Sequence, residues 1–223
     1  MTKAPLALGR LHVIINVGPG GEERAMRLVD QVLAGGAPVL QLRAKGLVDA
    51  KLYDIAIGVV DRCRAAGALC IVNDRADIAL AAGAGGVHIG QEDLPVEAAR
   101  RVVGPAGQVG GTARGPEVAL LHQYAGASYL GIGPIYQTSS KTGLPDPLGP
   151  GVLRRVNAVV DLPLIAISGV TIERAGELIA AGAYGLAVIA AVADAPDPAA
   201  ATARFLSEIE RSLDACAARP ASS

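Results

Sequence analysis

Five times along this chain a Gly-Ala pair introduces an apolar run: Gly36-Ala37 before PVLQLR, Gly67-Ala68 before LCIVND, Gly83-Ala84 before GVHIGQ, Gly126-Ala127 before SYLGIG and Gly182-Ala183 before YGLAVI. Glycine takes a left-handed backbone at little steric cost, which is what a helix needs in order to stop and turn back. Each pair therefore reads as a helix end that feeds a buried strand. One helix-stop-strand grammar used five times means alternating strands and helices around a parallel sheet.

Filling the gaps predicts eight strands, at 11–16, 38–43, 69–73, 86–89, 108–111, 128–133, 163–167 and 184–189. Helices are expected to begin near Glu22, Val48, Arg75, Pro95, Pro116, Gly149, Thr171 and Pro198. The stretch 22–34 is a fair sample, with Met26, Val29, Val32 and Leu33 on one stripe. Eight such units in about 200 residues is the arithmetic of a single (β/α)8 TIM barrel. An open doubly wound sheet is the competing architecture. The expectation is one domain over 1–223, with its core at about 10–212 and flexible tails at 1–9 and 214–223.

Composition narrows the function classes. Hydrophobic residues make up 51% of the chain and charged residues 18%, so a large aliphatic core is available. The net charge of −1 offers no electrostatic footprint for nucleic acid or an anionic membrane. Cys63, Cys70 and Cys216 show no paired or metal-binding spacing, which points to a reducing compartment. With neither a signal peptide nor an apolar span in view, the expected location is cytoplasmic. Barrels often associate through exposed helices, so a homo-oligomer is compatible, but no apolar stripe singles out an interface.

The chemistry belongs at the C-terminal ends of the strands, where parallel barrels build active sites. Those ends carry Asn16; Gln41, Arg43 and Lys45; Asn73 and Asp74; Gln91 and Asp93; Thr112 and Arg114; Thr138, Ser140 and Lys141; Ser168 and Gly169; and Ala190. Two adjacent strands each finish in an aspartate, a natural anchor for a hard divalent cation that in turn holds phosphates. Gln41, Arg43 and Lys45 alternate along one strand and share a face. On a rim with two aspartates, this positive pair makes sense if a metal-bound polyphosphate lies between them. The alternative is that Arg43 and Lys45 form structural ion pairs with Asp74 or Asp93. The hydroxyl-rich loop 133–143 reads either as a lid over an anion or as a solvated loop. Backbone after strands seven and eight, at Gly169 and at Ile189-Ala190, suits a phosphate. Among the histidines, His122 is expected on the surface, His88 packed in the core and His12 in the barrel mouth. No nucleophile partners any of them, which argues against an acyl-transfer triad.

Taken together, QLRAK (41–45), VNDRADIALAAGAGGVHIGQEDLP (72–95), GIGPIYQTSSK (131–141) and ISGVT with AGAYGLAVIAAV (167–192) resemble the thiamine phosphate synthase family, which includes the related thiazole tautomerases. The resemblance implies a Mg²⁺-dependent transferase acting on small phosphorylated substrates. It would couple 4-amino-2-methyl-5-hydroxymethylpyrimidine diphosphate with 4-methyl-5-(2-hydroxyethyl)thiazole phosphate, giving thiamine phosphate and diphosphate. By motif, Asp74 and Asp93 would bind the metal. Gln41, Arg43, Lys45, Asn73 and Lys141 would hold the pyrimidine diphosphate, and Thr112 would stand where the family has a small hydroxyl residue. Thr138 and Ser140 would match a Thr-x-Thr-Lys pair of hydroxyls, while Gly169 with Ile189 and Ala190 would take the thiazole phosphate. Lys141, Thr112 and Arg43 are the residues expected to act on the reacting groups.

Some positions depart from the family pattern. The first strand reads LHVIIN where a Tyr and a Thr-Asp ending are common, so His12 and Asn16 are unusual. Ser168-Gly169 replaces Gly-Gly, and Ala190 replaces Ser, losing a side-chain donor but keeping its N–H. The run TGLPDPLGPG resembles some tautomerase-like members. A tautomerase typically has a histidine where Pro134 lies, and has no need of the Asp74/Asp93 and Arg43/Lys45 set. A non-catalytic homologue that binds thiazole phosphate is the remaining alternative.

Overall fold

In the computed structural model, which describes residues 8–138 and 143–218, all five Gly-Ala pairs end their helices alike. The glycine is left-handed, with φ between +68° and +101°. Its N–H donates to a carbonyl three residues back and the alanine N–H to one five residues back, as at Gly67 to Arg64 (3.3 Å) and Ala68 to Cys63 (2.8 Å). This pair of bonds caps two helix carbonyls while turning the chain toward the next strand.

The strands are β1 (Leu11–Val17), β2 (Val39–Ala44), β3 (Leu69–Asn73), β4 (Gly86–Ile89), β5 (Gln108–Ala113), β6 (Tyr129–Ile132), β7 (Leu164–Ile167) and β8 (Gly185–Val188). They pair in parallel in sequence order, and β8 returns to β1 to close the barrel. The helices are α1 (Glu22–Ala34), α2 (Asp49–Ala66), α3 (Ala76–Ala81), α4 (Val96–Val103), α5 (Pro116–Tyr124), α6 (Gly151–Asn157), α7 (Ile172–Ala180), α8 (Ala190–Ala193) and α9 (Pro198–Ala217). The fold is thus a (β/α)8 barrel, and the open sheet is excluded. Two details differ from expectation. The four-residue α8 is extra, being too short to show any periodicity. Helix α9 runs to Ala217, so 214–217 is helix rather than tail.

Strand parity divides the core in two. Val13, Ile15 and Val17 face outward and pack under the helices, with Val29 and Val32 of α1 fully buried in the same layer. Ile14, Val39, Leu69, Ile71, Tyr129, Ile165 and Ala187 fill the barrel itself. That interior also holds a polar chain. Gln41 hydrogen-bonds the Tyr129 hydroxyl, which lies 3.2 Å from His88 Nδ1, while His88 Nε2 lies 3.0 Å from Thr112 Oγ1. Glycines make the space: a Cβ at Gly110 would strike the Tyr129 ring and His88, and one at Gly131 would stand 2.9 Å from His88 Cε1.

His12 lies at the N-terminal end of β1, deep in the barrel floor rather than at its mouth. It is 1% exposed, and its Nε2 donates to the Gly9 carbonyl at 3.2 Å. Parity correctly turns it inward but says nothing of depth. His122 is half-buried, not a free surface residue; its ring bonds the Thr112 carbonyl at 3.1 Å and rests on Gly111. No helix among the described residues is long and apolar enough to cross a membrane.

Two stability tests follow. At Gly67 a Cβ would meet open space, whereas at Gly86 it would enter the Gln108 carbonyl. Gly67→Ala should therefore cost only the left-handed penalty, about 1–2 kcal/mol, and Gly86→Ala more than about 3 kcal/mol. Urea midpoints would show the ranking. Burial and the neighbouring His88 hold the His12 pKa down to about 3. The unfolded chain, with a histidine pKa near 6.5, takes up a proton that the folded state refuses. This contribution is intact above pH 6.5 and falls away as the pH drops toward 3, by about 2 kcal/mol between pH 6.5 and 5. His12→Gln, which keeps a donor for Gly9, should flatten that part of the stability–pH curve.

Candidate active site

The polar ends of the eight strands surround a cavity of about 870 Å³ at the C-terminal mouth of the barrel. Strand β2 places Gln41, Arg43 and Lys45 on its wall; β3 and β4 bring Asn73, Asp74 and Asp93; β5 supplies Thr112. Thr138, Gly169, Ile189 and Ala190 complete the expected set among the described residues. Ser140 and Lys141 lie outside the described residues. Asn16 is exposed at the end of β1 and accepts a bond from Arg43 Nη1 at 3.1 Å.

The two aspartates meet. Successive strand residues point to opposite faces, yet Asn73 and Asp74 both line the cavity. The backbone explains this: Asp74 is left-handed (φ +68°), and its N–H is fixed to the His88 carbonyl at 2.8 Å. Such a conformation costs of order 1–3 kcal/mol in a non-glycine residue. It swings the carboxyl group toward Asp93, whose Oδ2 accepts the Gly90 N–H at 2.8 Å. A Cβ built on Gly90 would stand 2.6 Å from Asp93 Oδ2 and 3.9 Å from Asp74 Oδ1, so both carboxyl groups converge over this glycine. Burial, then the hydrogen bond to Asp93 and its charge, push the Asp74 carboxyl above the usual range, against the pull of Lys45. Two facing carboxylates short of positive charge fit a Mg²⁺ ion, which takes one or two protein carboxylates and completes its shell with water and phosphate oxygens.

The rim cations divide. Lys45 Nζ does pair with Asp74, at 3.2 Å, but the lysine is more than half exposed. An exposed pair of this kind is worth about 0–1 kcal/mol and opens readily for a stronger ligand. Arg43 pairs with neither aspartate and takes Asn16 instead. The structural ion-pair reading therefore holds for Lys45 alone.

Across the mouth, Ser168 and Gly169 are both left-handed (φ +78° and +65°), forming a tight turn between β7 and α7. A Cβ at Gly169 would stand 2.6 Å from the Gln137 carbonyl, which is why glycine is needed there. Arg174, in the first turn of α7, donates to the Gly169 carbonyl at 2.6 Å and lies over the Tyr136 ring. Tyr136 is tied in turn to Glu177 at 2.6 Å.

Arg174 and Gln137 line the cavity without having been expected there. A helix residue gives no strand-end signal, so only the fold could place Arg174. Arg114 also faces the cavity. The sequence puts it on the rim, two residues after Thr112, but assigns it no role. His88, expected as core packing, has both ring nitrogens engaged at the cavity floor.

A closed barrel whose C-terminal rim gathers an acidic pair, cations and a tight left-handed turn belongs to the class of barrel enzymes that carry their chemistry at that rim. This chain belongs to the thiamine monophosphate synthase family, whose model matches residues 11–192. It is 48% identical over 201 residues to the thiamine-phosphate synthase of Salinispora arenicola, covering 90% of this chain and 97% of that one. It is 43% identical over 201 residues to the thiamine-phosphate synthase of Moorella thermoacetica, covering 90% and 96%. Among solved structures, the thiamine phosphate pyrophosphorylase from Pyrococcus furiosus superposes with a TM-score of 0.82 at 33% identity, covering 92% of this chain and 96% of that chain. A 3-hexulose-6-phosphate synthase, at 20% identity and a TM-score of 0.69, shares the barrel.

The convergent carboxylates predict a trade of stability for ligand binding. Without divalent metal, Asp93→Asn should raise the melting temperature by about 1–3 °C, since it removes repulsion while its amide oxygen still accepts the Gly90 N–H. Millimolar Mg²⁺ should then stabilise the parent protein more than the variant. Thermal melts with and without Mg²⁺ would check both signs.

Proposed function

We propose that this protein is a thiamine phosphate synthase, joining hydroxymethylpyrimidine diphosphate to hydroxyethylthiazole phosphate. The convergence of Asp74 and Asp93 beside Arg43 and Lys45 carries the reading, on top of the family membership. In the reaction the C–O bond to the diphosphate breaks at a benzylic-type carbon. The thiazole nitrogen lone pair forms the new C–N bond, and diphosphate departs with the electrons. The barrier is charge separation, and fixed positive charge on the departing oxygens lowers it. Mg²⁺ held by Asp74 and Asp93 would supply part of that charge.

The remaining work falls to the chain itself. Arg43 and Lys45 hold the diphosphate, with Lys141 as a further cation by family resemblance. Gln41, Asn73 and Thr112 position the pyrimidine, and Thr138 offers a hydroxyl at the cavity wall, with Ser140 as a second hydroxyl by family resemblance. The turn at Gly169 and the backbone at Ile189-Ala190 take the thiazole phosphate. No strong base is required, in keeping with a floor whose histidine is fully hydrogen-bonded. Isomerisation by a tautomerase uses neither the acidic pair nor the β2 cations. The three cysteines are free, with Cys63 and Cys70 in hydrogen-bond contact, which suits a reducing cytoplasmic setting.

The test is direct. Purified protein, Mg²⁺ and both precursors should yield thiamine phosphate, and Asp93→Ala should lower kcat/KM by about 100-fold or more. Absence of product above that variant would sink the synthase reading. Isomerisation of a thiazole carboxylate phosphate would replace it with the tautomerase, and calorimetric binding without turnover with the non-catalytic homologue.

A further inference from the structure

We propose that Arg114 is a third cationic ligand of the diphosphate, gripping it from the β5 side of the acidic pair; this rests on the synthase reading above. Strand parity sends Thr112 and Arg114 inward and buries Ala113 fully beneath the helices. Both Thr112 and Arg114 line the cavity.

The guanidinium is poorly used as it stands. Among the described residues its Nη1 is buried with no hydrogen-bond partner, and its Nη2 reaches the Asp146 carbonyl at 3.3 Å. Other arginines near these loops are committed: Arg75 lies between Asp49 and Asp77, and Arg174 holds Gly169. A buried charged donor without an acceptor is costly, so its retention in a cavity wall points to a ligand that satisfies it.

The strand order says which ligand. Around the closed barrel, β2, β3, β4 and β5 are neighbours. They carry in turn Arg43 and Lys45, Asp74, Asp93, and Arg114. A polyanion seated on a cation between the two carboxylates would thus have positive charge on both flanks, and Arg114 completes the second flank. The turn after β7 lies two strands farther on. The planar fork of arginine presents two parallel N–H donors to adjacent phosphate oxygens, a fixed geometry that the single nitrogen of a lysine does not offer.

Calorimetry with inorganic diphosphate, with and without Mg²⁺, on the full chain and on R114A and R114K tests the assignment. R114A should weaken diphosphate binding by about 10- to 100-fold, with R114K in between. In steady-state kinetics R114A should raise KM for the pyrimidine diphosphate and leave KM for the thiazole phosphate unchanged. Because the orphaned donor disappears, its melting temperature should equal or exceed that of the parent; a purely structural arginine would lower it. Parent-like diphosphate affinity in R114A, or in R114K should R114A fail to fold, would overturn the proposal. So would an effect confined to the thiazole phosphate. If the parent protein makes no thiamine phosphate yet R114A loses diphosphate binding, the synthase reading fails and the ligand assignment stands. Turnover by the parent with unchanged diphosphate binding in R114A sinks this assignment alone.

Discussion

A barrel of eight parallel strands turns every second side chain inward, and its interior holds only some of them at full size. This constraint shapes the site. On β5 and β6 the inward positions include Gly110 and Gly131, and the space they leave is taken by Tyr129 and His88. The two rings stack with centroids 5.6 Å apart, and Tyr129 meets His12 edge-on at 5.3 Å. Burying that much polar surface is tolerable because the groups satisfy one another, from Gln41 through Tyr129 and His88 to Thr112. The cavity floor is therefore rigid, and Thr112 is held at the height where the mouth begins.

Above that floor the molecule sustains arrangements that do not help it fold. Asp74 and Ser168 are the left-handed non-glycine residues among the described positions, and both sit on the rim. The first brings one carboxyl group against another; the second shapes the turn before α7. Strain and like-charge repulsion gathered at one rim are what a site prepared for a charged ligand looks like before the ligand arrives. Lys45 offsets part of the repulsion through a bond that solvent already weakens. Arg75, next to Asp74, is held firmly by Asp49 and Asp77, which anchors the starts of α2 and α3 around the aspartate.

Much of this was legible in the sequence because it rests on local rules. Left-handed glycines stop helices, buried parallel strands are apolar, and polar residues collect where such strands end. Those rules placed all eight strands to within two residues at either end, along with the acidic pair and the β2 cations. What they could not supply was depth and packing. His12 was turned inward correctly and does line the cavity, but at its floor and not at the mouth, since alternation carries no height. His122 looked like a surface residue because its partner, the Thr112 carbonyl, belongs to the neighbouring strand. Helix α8 spans barely one turn and so shows no repeat, and Arg174 enters the cavity from a helix, where side chains carry no mark of the rim.

The neutrality of the floor matters for the proposed reaction. A dissociative step leaves an electron-poor carbon that any exposed lone pair can capture. Burial pushes the Tyr129 phenol well above its ordinary pKa, so it stays protonated, and burial keeps His12 neutral. Tyr129 and both nitrogens of His88 are committed to each other, to Gln41 and to Thr112, so none offers a free nucleophile. Charge is confined to the rim, where it can hold the leaving group and the incoming phosphate at separate stations. In the proposed reaction the floor that would face the reacting carbon is polar enough to orient a heterocycle and too well satisfied to attack it. That division would let the barrel direct one nucleophile, the thiazole nitrogen, to one carbon without calling on a strong base.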